Sequence, residues 1–188
     1  MAMRLLARFA ASVCLAGSFF VTSSDAAGLP PPARPVIPEA LGWVVVPGVA
    51  ISPDKAHVYR AIFSATAGAE APDKLVPAVL MAGTELNALV ASGLTVANAD
   101  FVIDFHGPAA VDALLDNPHY QAKYHIDNPN LPVLAKLKKS GVKLYVCAQL
   151  LLGIGVDFAT LTPDVTVASD GLVVLVTFQN QGYALLPF

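Results

Sequence analysis

Cys147 has the chemistry of a nucleophile and a setting that suits it. It closes the run Val142-Lys143-Leu144-Tyr145-Val146-Cys147, in which apolar and polar side chains alternate with the two-residue period of a strand. The following apolar segment ends at Gly153 and Gly155, so the thiol is expected at a strand-to-helix turn. The carboxyl ends of strands in open parallel sheets are where such folds bind ligands. Amides of the turn would stabilise an anionic sulfur there, and the thiolate is the reactive form. The competing reading is an inert, buried thiol, since free cysteine is among the most buried residue types.

His106 ends a second apolar run, Asp100 to Phe105, and is expected in the same crevice as an acid, a base or an anion partner. It would equally serve to hold the turn before Pro108. Gly107, Asn128 and Gln149 are the expected ligand contacts around these two candidate catalytic residues. His119 and His125 share a polar stretch with Tyr120, Tyr124, Asp127 and Asn128, but their spacing matches no strong zinc signature. Solvated or packing roles are therefore expected for them, with no metal and no cofactor. Gly153-Ile154-Gly155 is too sparse for a phosphate or dinucleotide cradle. A Gly-rich loop ending in Lys-Ser/Thr and a nucleophile elbow are both missing, which excludes the motif-based nucleotide and serine-hydrolase readings.

The elements that must position these residues alternate between strand and helix. Val58 to Ser64 reads as a first strand, apolar enough for burial on both faces. A helix follows to about Ser92, with Asp73 as its expected cap and Pro77 in its first turn. After the Asp100 strand come a short helix from about Ala109 to Leu115 and an irregular loop from Asp116 to Pro132. A helix from Val133 to Lys139 leads into the Cys147 strand. Beyond it a strand near Val165 to Ala168, a helix from Gly171 to Gln181 capped by Asp170, and a strand from Tyr183 to Leu186 complete the chain. Right-handed crossovers then give a three-layer α/β/α domain with a mostly parallel sheet.

Ahead of this domain, expected over residues 57–188, the composition changes twice. Residues 1–27 carry Arg4 and Arg8, an apolar run from Phe9 to Val21 and a small-residue site at Asp25-Ala26-Ala27, the layout of a secretory signal peptide. The run is shorter than the roughly 20 residues of a membrane span, and Ala11-Ser12-Val13 is a poor lipidation signal ahead of Cys14. Residues 28–56 hold Pro30, Pro31, Pro32, Pro35, Pro38, Pro47 and Pro53, and read as an extended arm in which Trp43-Val44-Val45-Val46 is either a short strand or an apolar anchor on the domain or a neighbouring subunit. Cleavage after Ala27 would leave 9 basic against 13 acidic side chains. That balance favours neither nucleic acid nor an anionic membrane. A periplasmic or secreted location is expected, where a single remaining cysteine has no internal disulfide partner.

Four segments, in this order and spacing, give the chain a family likeness. They are Phe105-His106-Gly107-Pro108, Asp127-Asn128-Pro129-Asn130-Leu131-Pro132, Val142 to Cys147, and Gln179-Asn180-Gln181-Gly182-Tyr183-Ala184. Together they resemble the DsrE/DsrF-like family of sulfur-relay proteins over roughly Val58 to Pro187. The resemblance implies a five-stranded parallel sheet and assembly into homo-oligomers. In relay members a cysteine after the third or fourth strand carries persulfide sulfur between a donor and an acceptor protein, and Cys147 matches that position. Ala148 and Leu150 depart from the Gly and Ser-like residues the relay pattern has after its cysteine. Two functions follow as alternatives: a sulfur carrier or sulfurtransferase-like protein acting through Cys147, or a non-catalytic oligomeric protein that binds a small ligand or serves as a scaffold.

Overall fold

The structure, a computed structural model, describes residues 30–188. The signal peptide expected over residues 1–27, and with it Cys14, lies outside the described residues. Five strands form one sheet: β1 (Tyr59–Ala65), β2 (Ala99–Phe105), β3 (Lys143–Cys147), β4 (Thr166–Ala168) and β5 (Ala184–Pro187). Their spatial order is β4-β3-β2-β1-β5, and every neighbouring pair is parallel. The expected three-layer α/β fold is therefore present, with a sheet that is parallel throughout.

The helices are α1 (Pro77–Ala91), α2 (Asn117–Tyr124), α3 (Asn130–Lys139), α4 (Ala148–Ile154) and α5 (Gly171–Asn180). The strands β1 to β4 step in one direction across the sheet, so right-handed crossovers place α1, α3 and α4 on one face. The connection from β4 back to β5 runs the other way and puts α5, alone among the helices of the described residues, on the opposite face. The side chains agree. Phe63, Phe101, Ile103, Phe105, Leu144 and Val146 share the large core with Val79, Leu86, Leu134, Leu137 and Leu151. Ile62 and Val102, one residue out of phase, pack with Val174, Leu175 and Tyr183 on the α5 side. Each such side chain, once fully buried, contributes about 1.5–3 kcal/mol.

Several local expectations change. Asp73 does not cap α1: the N-cap is Val76, without a side-chain bond, and Asp73 instead meets Lys74 at the surface. Pro77 makes that cap dispensable by lacking an amide donor at the start of the helix. The stretch from Asp116 to Pro132, expected to be irregular, contains α2 and the first turn of α3. Asp116 caps α2 by accepting from the amide of His119, and Pro118 opens its first turn. The helix expected from Ala109 is a single 3-10 turn, Val111–Leu114.

The proline-rich segment is extended but not free. Ile37 and Ala40 are buried against Gly83 of α1, where a methyl group would lie 2.9 Å from the Ala40 Cβ. Asn87 of α1 binds the same segment through both ends of its amide, accepting from the amides of Val36 and Ile37 and donating to the carbonyls of Ile37 and Leu41. Trp43 bridges Ala33 in an antiparallel pair.

Candidate functional site

The carboxyl ends of β1, β2 and β3 converge beneath the first turn of α5. Ser64 pairs in register with Asp104, and Asp104 with Tyr145. Because Phe105 pairs with Val146, the next residues on each strand, His106 and Cys147, are neighbours across strands spaced about 4.8 Å apart. Strand alternation turns Ser64, Asp104 and Cys147 toward the α5 side.

Cys147 is the last residue of β3 and the N-cap of α4. Its Sγ accepts from the Leu150 amide at 3.3 Å, and only 7% of the residue is exposed. The thiol is therefore held by a backbone donor at the mouth of the turn rather than sealed into either core cluster. His106 is half-buried, and its Nε2 lies 2.7 Å from the Ser64 Oγ. Burial pulls the imidazole below its ordinary range, a shift that nearby Asp170 partly opposes. The ring is accordingly neutral near pH 7, with one nitrogen engaged by Ser64.

Asp104 is fully buried, and neither carboxylate oxygen has a hydrogen-bond partner. Its pKa is pushed up to about 7, first by desolvation and then by the charge of Asp170. Asp170 caps α5 by accepting from the Leu172 amide. Directly after it, Gly171 closes the roof. A Cβ there would stand 2.6 Å from the His106 Cβ and 3.2 Å from the Asp104 Oδ2, so only glycine lets the helix start this close to the strands.

The strand register makes His106 and Cys147 cross-strand neighbours, and the other expected residues lie around them as follows. Gly107 is a close-packing position, because a Cβ would fall 2.3 Å from the Thr66 carbonyl oxygen. Asn128 is buried, donates to the carbonyls of Asp112, Ala113 and Leu115, and accepts from Asn130. These side-chain bonds tie the 3-10 turn at Asp112 to Leu115 to the start of α3. Gln149 is exposed on the first turn of α4. His119 and His125 bracket the ends of α2, the first against Asp116 and the second as a left-handed C-cap at φ 62°. Among the described residues no three His, Cys, Asp or Glu side chains group to hold a metal ion.

Ser64, Asp104 and Gly171 were missed in the sequence. The signal for Asp104 was present, an acid inside the otherwise apolar run Phe101 to Phe105. A cleft of about 430 Å³ lies elsewhere, lined by His57, Tyr59, Phe63, Glu85, Phe101 and Leu186 among others.

An open parallel sheet that delivers a cysteine and a neutral histidine to one edge defines a thiol-bearing α/β protein. The DsrE/DsrF-like family model matches residues 81–188, more than half of the chain, and the chain belongs to that family. Among solved structures it is similar to the protein of unknown function MTH1491 from Methanobacterium thermoautotrophicum, at 20% identity and a TM-score of 0.50, covering 69% of this chain and 99% of that one. It is also similar to the ychN protein from E. coli, at 18% identity and a TM-score of 0.51, covering 70% and 100%. These likenesses concern the fold. No match was found among curated proteins.

Proposed function

We propose that this protein is an exported sulfur carrier in which Cys147 accepts and passes on persulfide sulfur. The observation that carries the reading is the position of the Cys147 Sγ: at the end of a central strand, bonded to the Leu150 amide, next to His106. In the accepting step the Cys147 thiolate attacks the outer sulfur of a donor persulfide. A sulfur–sulfur bond forms on Cys147 as the donor's sulfur–sulfur bond breaks, and the donor leaves as a thiolate. In the passing step an acceptor thiolate repeats the exchange and releases the Cys147 thiolate. No net oxidant is required. His106, neutral at physiological pH, takes the thiol proton at the start and returns one at the end.

Donor and acceptor are proteins in this reading, and the carrier itself is a homo-oligomer outside the cytoplasm. Leu172, Val173 and Val176 stand out from the solvent side of α5, the one helix on its face of the sheet among the described residues, and favour a further chain covering it.

The burial of Cys147 and the cleft beside β1 favour a second reading, a binding or scaffold protein with a structural cysteine. Mass spectrometry of the protein purified from its own cells separates the two. Additional sulfur on Cys147 supports the carrier, and an unmodified thiol in freshly isolated, unreduced protein supports the scaffold.

A further inference from the structure

The helix α1 packs over β1 and β2, and the edge strand β5 continues the sheet beyond it. Leu186 of β5 joins the core on the α1 face, and strand alternation turns Ala184 to the same side. A cleft of about 430 Å³ remains between α1 and β5 at the amino ends of the strands. Its floor is apolar. Phe63 and Phe101 lie edge to face with ring centres 5.2 Å apart, and Leu89 and Leu186 line the cleft with them. At the mouth the rings of His57 and Tyr59 meet edge-on at 4.8 Å, and the Tyr59 hydroxyl accepts from the Asp54 amide at 2.8 Å.

α1 brings one carboxylate into this cleft. Glu85, one turn before Leu89, is half-buried. Burial raises its carboxyl above the ordinary value, and among the described residues no donor or cation offsets that cost. The basic groups nearby are directed elsewhere. Arg60 lines the cleft, but strand alternation sends its side chain to the α5 face, where its Nε lies 3.8 Å from Asp100. The Lys55 amino group lies beyond the end of α1, 3.4 Å from where a Cβ on Gly93 would stand and about two helical turns past Glu85. We propose that this cleft binds a small organic cation, an amine with an apolar body, whose ammonium group pairs with Glu85 while its body lies on Phe63, Phe101 and Leu186.

Each part of the cleft selects one part of such a ligand. A desolvated carboxylate without a donor recovers its lost hydration from an ammonium group, through charge-assisted hydrogen bonds. An anion would be repelled, and a neutral apolar molecule would desolvate the carboxylate further with nothing in return. The Tyr59 ring in the same cleft adds cation–π attraction, and the volume is that of a small-molecule site. Cys147 ends β3 at the opposite edge of the sheet, so the site does not depend on sulfur chemistry there.

The test is calorimetric titration of the purified protein with 2-phenylethylamine, with 2-phenylethanol as its uncharged counterpart and 3-phenylpropanoate as an anion. The amine is expected to bind with a dissociation constant of about 1 mM or below, and the alcohol and the anion about fivefold more weakly or worse. Glu85→Gln keeps the size of the side chain and removes a charge that the cleft desolvates, so it should fold at least as stably by urea titration while losing the preference for the amine. Ala184→Phe fills the cleft from β5 and should abolish binding of amine and alcohol alike. Equal affinity for amine and alcohol in the wild type, or amine binding unchanged in folded Glu85→Gln, would overturn the cation site. So would a folded wild type that binds no amine, including one that light scattering shows to be a dimer which Ala184→Phe disrupts, since a second copy would then occupy the cleft.

Discussion

Ser64 Oγ and His106 Nε2 sit 2.7 Å apart across the adjacent parallel strands β1 and β2, and this contact holds the imidazole toward β1, while the backbone register makes His106 the cross-strand neighbour of Cys147 on β3. The bond uses one ring nitrogen, Nε2. Ser64→Ala therefore frees the ring without removing it, whereas His106→Ala removes it. Alkylation of Cys147 at pH 7.5 is expected to slow about tenfold in His106→Ala and about threefold in Ser64→Ala. Equal rates in all three proteins would separate His106 from the thiol chemistry.

The roof glycine gives a stability prediction with an internal control. Gly171→Ala forces a Cβ within 2.6 Å of the His106 Cβ, and overpacking of this kind costs about 1–3 kcal/mol. Gly153, inside α4, has nothing within 4 Å of an added Cβ, so Gly153→Ala is expected to gain up to about 1 kcal/mol. Urea titrations of both variants should move in opposite directions.

Asn128 is expected to matter for folding and not for ligands. Its side chain donates to three carbonyls and accepts from the amide and side chain of Asn130, all near or within the core. Asn128→Ala leaves several of those groups unsatisfied and should cost on the order of 3 kcal/mol. The urea midpoint reads the loss, and Cys147 alkylation in the folded fraction should be unchanged.

Much of this arrangement was legible in the sequence, and the exceptions have physical causes. The alternation of Val142 to Cys147 and the apolar run before His106 located both strand ends to within a residue, because burial on a sheet imposes a strict period. The cap by Asp170 was equally readable, since an N-cap is a local bond. The helix α2 was missed because Asn117 to Tyr124 has one buried residue, Tyr120, and so lacks an apolar stripe. Its start signals, Asp116 and Pro118, were present but read as loop composition. Asn128 and Gly107 have tertiary roles: one bonds carbonyls 13 to 16 residues back, and the other touches Thr66 on a different strand connection. Asp104 drew no notice as a strand interior residue, although its charge type was the anomaly.

Asp104 also sets a pH dependence of stability whose sign follows from its environment. Its folded-state pKa, raised to about 7, exceeds the ordinary carboxyl value of 3.8. Between those limits the folded state holds a proton that the unfolded chain has lost, so the stabilising contribution is complete below about pH 4 and is lost as pH rises through 7. Asp104→Asn should remove this decline and make the protein more stable than the wild type at pH 8, by about 2 kcal/mol. Chemical denaturation at pH 4, 6 and 8 reads both arms, and a wild-type curve parallel to that of the variant would contradict the assigned burial of an unpartnered acid.

The most direct test loads the purified protein with inorganic polysulfide, removes the excess, and adds a small thiol acceptor while intact mass is followed. The account predicts extra sulfur on Cys147, none on Cys147→Ala, and its passage to the acceptor with return of the original mass. A folded wild type that takes up no sulfur at Cys147, or takes up sulfur that the acceptor cannot remove, would contradict the sulfur-carrier function.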